Sequence, residues 1–182
     1  MIPVEYLWLT LIGVFGVVAM GRGLWKELGV SCVMLLTLFV LKFGWKTVGA
    51  NVVEVVPGGL SSAMVQALYY ILPTAFMAFI SYHGISLTFP IKQSTGLTKA
   101  ILGFPGGILN GYLIAGTFWD AFNLADYFGL KVPMGSTGTT VAISESVTPL
   151  YNTLVQYLPV TFVNEFIFLA LGMILLVAII LK

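Results

Sequence analysis

What most constrains this chain is where its charges are missing. Between Val55 and Ile91 there are 37 consecutive residues without an acidic or basic side chain, and Tyr6 to Gly21, Leu28 to Leu41 and Ala100 to Trp119 are also uncharged. Runs of this length call for a large core or a bilayer. With 182 residues, 59% of them hydrophobic and 8% charged, the chain is too small to hide that surface in a water-soluble fold. The expectation is therefore an all-α fold, a polytopic transmembrane helical bundle with interfacial amphipathic helices. Eight basic side chains scattered over the whole length make no nucleic-acid-binding face. The single cysteine, Cys32, sits in an apolar run, which excludes an intrachain disulfide or a thiolate metal cage.

Taken in order, the sequence predicts a first span from Val4 to Met20, with Glu5 rather than the positive region of a cleaved leader ahead of its apolar run and with Tyr6 and Trp8 in an interfacial aromatic belt. The uncharged stretch Leu28 to Leu41 covers only about 21 Å of helix, so the second span is extended to Leu24–Phe43 with Lys26 and Lys42 snorkelling outward. Lys42 to Gly59 is too polar to span and reads as an interfacial segment ending at Pro57, Gly58 and Gly59. A third span is expected over Ser61–Thr88, kinked at Pro73, with Gln66, Tyr70 and Thr74 on one inward face. The fourth is Ala100–Trp119, where Pro105 marks either the first helical position or a kink.

Asp120 to Thr161 is the longest polar stretch. Its GSTGTT segment, Gly135 to Thr140, resembles a phosphate loop only superficially, since no lysine follows the glycines. Thr148 and Pro149 read as N-cap and first position of an amphipathic surface helix, with Leu150, Tyr151, Leu154, Val155 and Leu158 on one face until Pro159. Phe162 to Leu181 gives a fifth apolar span, with Glu165 at its entrance and Lys182 at its exit. Domain organisation follows as a four-span unit, 1–161, and an additional C-terminal helix, 162–182. Arg22, Lys26, Lys92, Lys99 and Lys182 fall on one side and Lys42, Lys46 and Lys131 on the other. The positive-inside rule then puts the N-terminus outside and the C-terminus in the cytoplasm.

Within the fourth span Gly103, Gly107, Gly111 and Ala115 recur every fourth residue and form a stripe without bulky side chains. Lipid tails are as apolar as leucine, so helices in a bilayer associate where such a stripe lets backbones approach for dispersion contacts. The stripe is expected to receive another helix, another membrane protein or a second copy of the chain.

Two turns share a pattern. GRGLWKELG at the first, carrying Arg22, Gly23 and Glu27, resembles the Arg-Gly then Glu signature of the colicin V production protein family, CvpA. TGLTKAILGFPGGILNG, carrying Gly96, Lys99, Gly103, Gly107 and Gly111, resembles that family's second turn, and SESVTPLYNTLVQYLP its segment after the fourth helix. The family usually has Asp-Arg where this chain has Thr98 and Lys99, and tends to have arginine where this chain has Asn110. The resemblance covers roughly the first 160 residues and implies a non-enzymatic bacterial inner-membrane protein tied to peptide toxin production or export, or to envelope maintenance. Arg22 and Glu27 are expected to pair loosely, being five residues apart.

No catalytic set and no metal site stand out. His83, three residues before Ser86, is the single candidate pigment ligand, outweighed by an interfacial histidine, and no cofactor is required by the aromatic content. Asp120 and Glu165 fall at segment edges and are expected in a solvated or headgroup position rather than in an ion path. Two other function classes stand beside the CvpA reading. One is an accessory subunit of an energy-converting or pigment-bearing complex; the other is a small solute channel or carrier.

Overall fold

The computed structural model describes residues 3–55, 60–83, 95–134, 139–142 and 148–181. The expected features at Pro57 to Gly59, Ser86, Thr88, Lys92, Gly135 to Gly138, Glu145 and Lys182 lie outside the described residues.

The architecture is the expected all-α bundle. Its elements are α1 (Val4–Arg22), α2 (Leu24–Val55), α3 (Ser62–His83), α4 (Gly96–Leu124), a short turn at Asp126–Gly129, a two-stranded ribbon, α5 (Pro149–Val155), α6 (Pro159–Phe162) and α7 (Glu165–Ile180). Helices α1, α2, α3 and α4 are long and apolar enough to cross a membrane. Leu72, Phe76 and Phe79 of α3 and Ile167 and Ile174 of α7 stand more than half exposed, an outer apolar face that suits lipid. The chain is a helical membrane protein.

Three boundaries differ from the sequence reading. First, α2 does not stop near Phe43. It continues for 32 residues to Val55, so Lys42 to Val55 is the end of a long helix and no separate interfacial segment. The isolated glycines Gly44 and Gly49 cost helix stability without ending it, and no proline intervenes before Pro57. Second, α4 starts at Gly96 and runs through Pro105 and past Trp119 to Leu124, which brings Asp120 inside the helix. Third, α7 has 16 residues, about 24 Å, and begins at Glu165 behind an Asn164 cap whose side chain accepts from Phe166 N. The start of the surface helix is as anticipated, with Thr148 Oγ1 accepting from Tyr151 N at 3.3 Å and Pro149 in the first turn, but the helix ends at Val155 rather than running to Pro159, and Leu150 is exposed. The ribbon pairs Lys131–Met134 with Thr139–Ala142 antiparallel, strands that no alternation in the sequence had suggested.

Helix α4 is the centre of the bundle, touched by α1, α2, α3 and α6, while α7 lies against α2. Gly103, Gly107 and Gly111 face α1. A side chain at Gly103 would strike Ala19 O, one at Gly107 would strike Ala19 Cβ and Phe15 O, and one at Gly111 would come within 2.8 Å of Ile12 O. A second small-residue row adjoins it: Gly106, whose added carbon would sit 3.0 Å from Glu27 Cβ, and Asn110 face α2. On α1, Gly16 serves the contact, since a Cβ there would be 2.8 Å from Ile108 Cδ1; Gly13 meets nothing within 4 Å. Below these rows the core is Val30, Met34, Leu35 and Leu38 of α2, Leu113 and Ile114 of α4 and Phe168 of α7.

At the other end, α1 and α4 join the surface helix through an aromatic cluster. Trp8 stacks on Trp119 with ring centroids 6.2 Å apart and an 11° interplanar angle, and Tyr127, Tyr151 and Leu158 close the cluster. Trp8 is 7% exposed, so it is an inward packing residue and not part of a lipid-facing belt; Tyr6 beside it is 50% exposed. Tyr127 is held there by an unusual backbone. Asp126, Tyr127 and Phe128 have φ of 48°, 50° and 54°. A left-handed conformation costs non-glycine residues roughly 1–2 kcal/mol each, offset here by burial of the Tyr127 ring.

Candidate functional site

The residues carrying the two turn motifs meet in space. Gly23 has φ +88°, a conformation that favours glycine, and lets α2 start immediately after α1 ends. A Cβ at Gly23 would lie 3.1 Å from Lys99 Cγ, so the first turn is seated directly on the start of α4. The chain reversal also brings Arg22 back to Glu27 despite their five-residue spacing: Arg22 Nε donates to Glu27 Oε1 at 2.6 Å.

Glu27 is the hub of a polar network joining four helices. Its other oxygen, Oε2, accepts from Tyr82 Oη of α3 at 2.9 Å and from Asn110 Nδ2 of α4 at 2.8 Å. Asn110 Nδ2 also donates to Glu27 O at 3.0 Å, and Ser31 Oγ donates to Asn110 Oδ1 at 2.7 Å. Arg22 Nη1 donates to Tyr82 O at 3.2 Å, and the guanidinium carbon lies 4.5 Å from the centre of the Tyr82 ring. Glu27, Ser31 and Asn110 are wholly buried. A carboxylate removed from water is costly unless it is paired and its remaining lone pairs are used, and here both oxygens are occupied. The arrangement fixes the relative positions of α1, α2, α3 and α4 at one end of the bundle.

A second polar layer lies at the opposite end. Glu27 and Lys46 are 19 residues apart on α2, about 28 Å along the helix, close to the ~30 Å of a hydrocarbon core. There Lys46 Nζ donates to Glu165 Oε1 at 2.5 Å, and Lys42 Nζ donates to Val160 O at 2.6 Å and Val163 O at 2.5 Å. Asp120 Oδ2 accepts from Thr161 N at 2.8 Å and Oδ1 from Thr161 Oγ1 at 2.7 Å. Thr148 Oγ1 donates to Glu5 Oε1. Of the expected solvated or headgroup position of the two edge acids, the solvated alternative is corrected: Asp120 is 7% and Glu165 6% exposed, because α6 folds over one and Lys46 reaches the other. Lys42 likewise turns inward onto α6 carbonyls instead of snorkelling.

Of the candidate residues, Arg22 and Glu27 pair, Gly23 meets Lys99 and Gly103, while Gly107 and Gly111 pack further along α1 against Phe15, Ala19 and Ile12, and Gly96 stands at the start of the same α4. The stripe expected to receive another membrane protein or a second copy is covered in this structure by α1 of the same chain. His83 is exposed, stacked on Phe79 at 5.2 Å, and its neighbour in the sequence reading, Ser86, is outside the described residues. Among the described residues no group of three or more His, Cys, Asp or Glu is placed to hold a metal ion. Sequence reasoning missed Tyr82 and Ser31 and treated Asn110 only as a departure from a pattern. Signals were present: Ser31 follows Glu27 by one helical turn, and Asn110 follows Gly106 by one turn beside the glycine stripe. Compared with family models, with curated proteins and with solved structures, the chain matches none.

Proposed function

We propose that the chain is a non-enzymatic polytopic protein of the CvpA type in a bacterial inner membrane, serving peptide toxin production or export, or envelope maintenance. The observation that carries this reading is that the two resembling turns touch: Gly23 of the first meets Lys99 and Gly103 of the second, and Glu27, paired with Arg22, meets Gly106 and Asn110. Short motifs far apart in sequence that form one interlocked site behave as a unit. The departure at position 110 fits the same picture. Asn110 donates to Glu27, so a basic residue there would address the same carboxylate. The end bearing Arg22, Lys26 and Lys99 faces the cytoplasm, with the N-terminus outside.

The test is removal of the chain from its host followed by two assays, secreted toxin activity and resistance to detergents and bulky antibiotics. Loss of either, restored by the natural chain and not by Glu27→Leu, is the expected result. Unchanged behaviour in both assays refutes the proposal. A small solute carrier is the second reading, favoured by Asp120 and Glu165 being buried within a membrane protein. It predicts ion-dependent flux in vesicles that Asp120→Asn abolishes.

A further inference from the structure

At the end opposite the Glu27 network, α2, α3, α4 and α6 enclose a half-open crevice of about 240 Å³, lined by Lys42, Lys46, Gln66, Tyr70, Asp120 and Thr161 among others. We propose that it seats the phosphate of a phospholipid headgroup. This assignment rests on the crevice alone and not on the CvpA reading.

Hydrogen-bond inventory gives the sign of the ligand. An ammonium has three donors and no acceptor, and a carboxylate only acceptors. Lys42 uses two donors on Val160 O and Val163 O, and Lys46 uses one on Glu165. Asp120 has each oxygen occupied by Thr161. Among the described residues one donor on Lys42 and two on Lys46 remain, and the Gln66 amide, beside the Tyr70 phenol, stands on the facing wall. Among the groups that line the crevice, the unused capacity of the lysines is cationic and donating, the complement of an oxyanion; Glu165 Oε2, buried without a partner among the described residues, does not line it.

Height gives the source. Lys46 lies about 28 Å along α2 from Glu27, so the two polar layers stand one hydrocarbon thickness apart and the crevice opens at headgroup level. Trp45 lines it, an indole where membrane interfaces favour one. The Lys46 side chain is 56% exposed, which leaves the mouth open to a headgroup arriving from the bilayer. A formal charge of only +1 over the chain means that attraction to anionic lipid must come from local groups such as these.

The experiment is thermal unfolding of the full chain in a neutral detergent during titration with short-chain phosphatidylglycerol, with inorganic phosphate and a short-chain monoacylglycerol as separate arms. The midpoint is expected to rise with phosphatidylglycerol and not with monoacylglycerol. Half-saturation should move up about tenfold in Lys46→Gln, the equivalent of one charge-assisted hydrogen bond, and recover in Lys46→Arg. Gln66→Leu keeps the Lys46–Glu165 pair and should weaken the response by a smaller factor, so the assignment stays testable if Lys46→Gln fails to fold. A response to inorganic phosphate equal to that of the lipid overturns the lipid source. A lipid response unchanged in both Lys46→Gln and Gln66→Leu overturns the crevice itself.

Discussion

The two polar layers sit at opposite ends of the same four helices and are built on opposite principles. Around Glu27, glycines bring backbones so close that every oxygen of the carboxylate meets a donor from a neighbouring helix. Around Lys42 and Asp120 the helices are separated by Trp45 and Tyr70, the pairing is made by lysine side chains and by α6, and a crevice is left. Among the described residues, buried side-chain atoms without a partner occur at both ends, Arg22 Nη2 beside Glu27 and Glu165 Oε2 and Glu5 Oε2 at the other. The Glu27 carboxylate is thus enclosed on both oxygens, while the layer of Lys42 and Asp120 leaves a crevice. The closed end locks the bundle, and the open end has capacity left for a ligand.

The strongest way to break this contrast is to remove the close approach. Gly107→Leu should abolish a monodisperse peak on gel filtration in detergent, whereas Leu109→Ala on the exposed side of the same helix should leave it intact. Comparable profiles would show that the stripe does not set the packing. Next in size is Glu27→Leu, which leaves Arg22 without its counter-charge; we expect a loss of about 3–5 kcal/mol in unfolding measured by denaturant titration. Asp120→Asn at the other end removes the charge and keeps one acceptor, for Thr161 N, while its amide nitrogen can donate to Thr161 Oγ1; it should cost less, about 1–3 kcal/mol on the same assay. A reversed order would mean that the open end is the structural one.

Lys46→Gln should have a smaller effect still, because the ammonium is more than half exposed, and the effect should shrink further as salt is raised. The smallest effect at neutral pH belongs to the aromatic cluster. Tyr151 Oη donates to Asn123 Oδ1 at 2.7 Å, so the 2.9 Å bond between the two phenols is donated by Tyr127. Burial pushes both phenols above their usual range, Tyr127 the further. The folded state therefore holds these protons after the unfolded chain has released its own, and stability is full below pH about 10 and falls as pH rises beyond it. Tyr127→Phe should flatten that alkaline decline, measured by unfolding midpoints across the range.

Much of this arrangement was readable from residue patterns. Uncharged runs place the four spanning helices, and the four-residue glycine spacing identifies α4 as the packing centre, because both signals depend only on local periodicity. Gln66, Tyr70 and Thr74 were expected to face inward, and Tyr70 and Thr74 are buried while Gln66 lines the crevice. Pairing across distance was not readable. Nothing near Glu5 points to Thr148, 143 residues away, or near Lys42 to the carbonyls of α6. Edge acids read as solvated because their covering elements, α6 and the surface helix, come from a polar stretch whose fold-back no periodicity announces. The end of α2 is hidden for a simpler reason: Lys46, Asn51 and Glu54 read as an interruption, yet the helix meets no breaker before residue 57.

That unbroken helix has a mechanical consequence. At 32 residues α2 is about 48 Å long, and even leaning by ~40°, the upper end of what spanning helices adopt, it still reaches about 37 Å across a ~30 Å slab. At least some 7 Å of it must stand clear of the oil. Anything approaching that face from water meets a stiff mast tipped by Asn51 and Glu54 before it touches lipid.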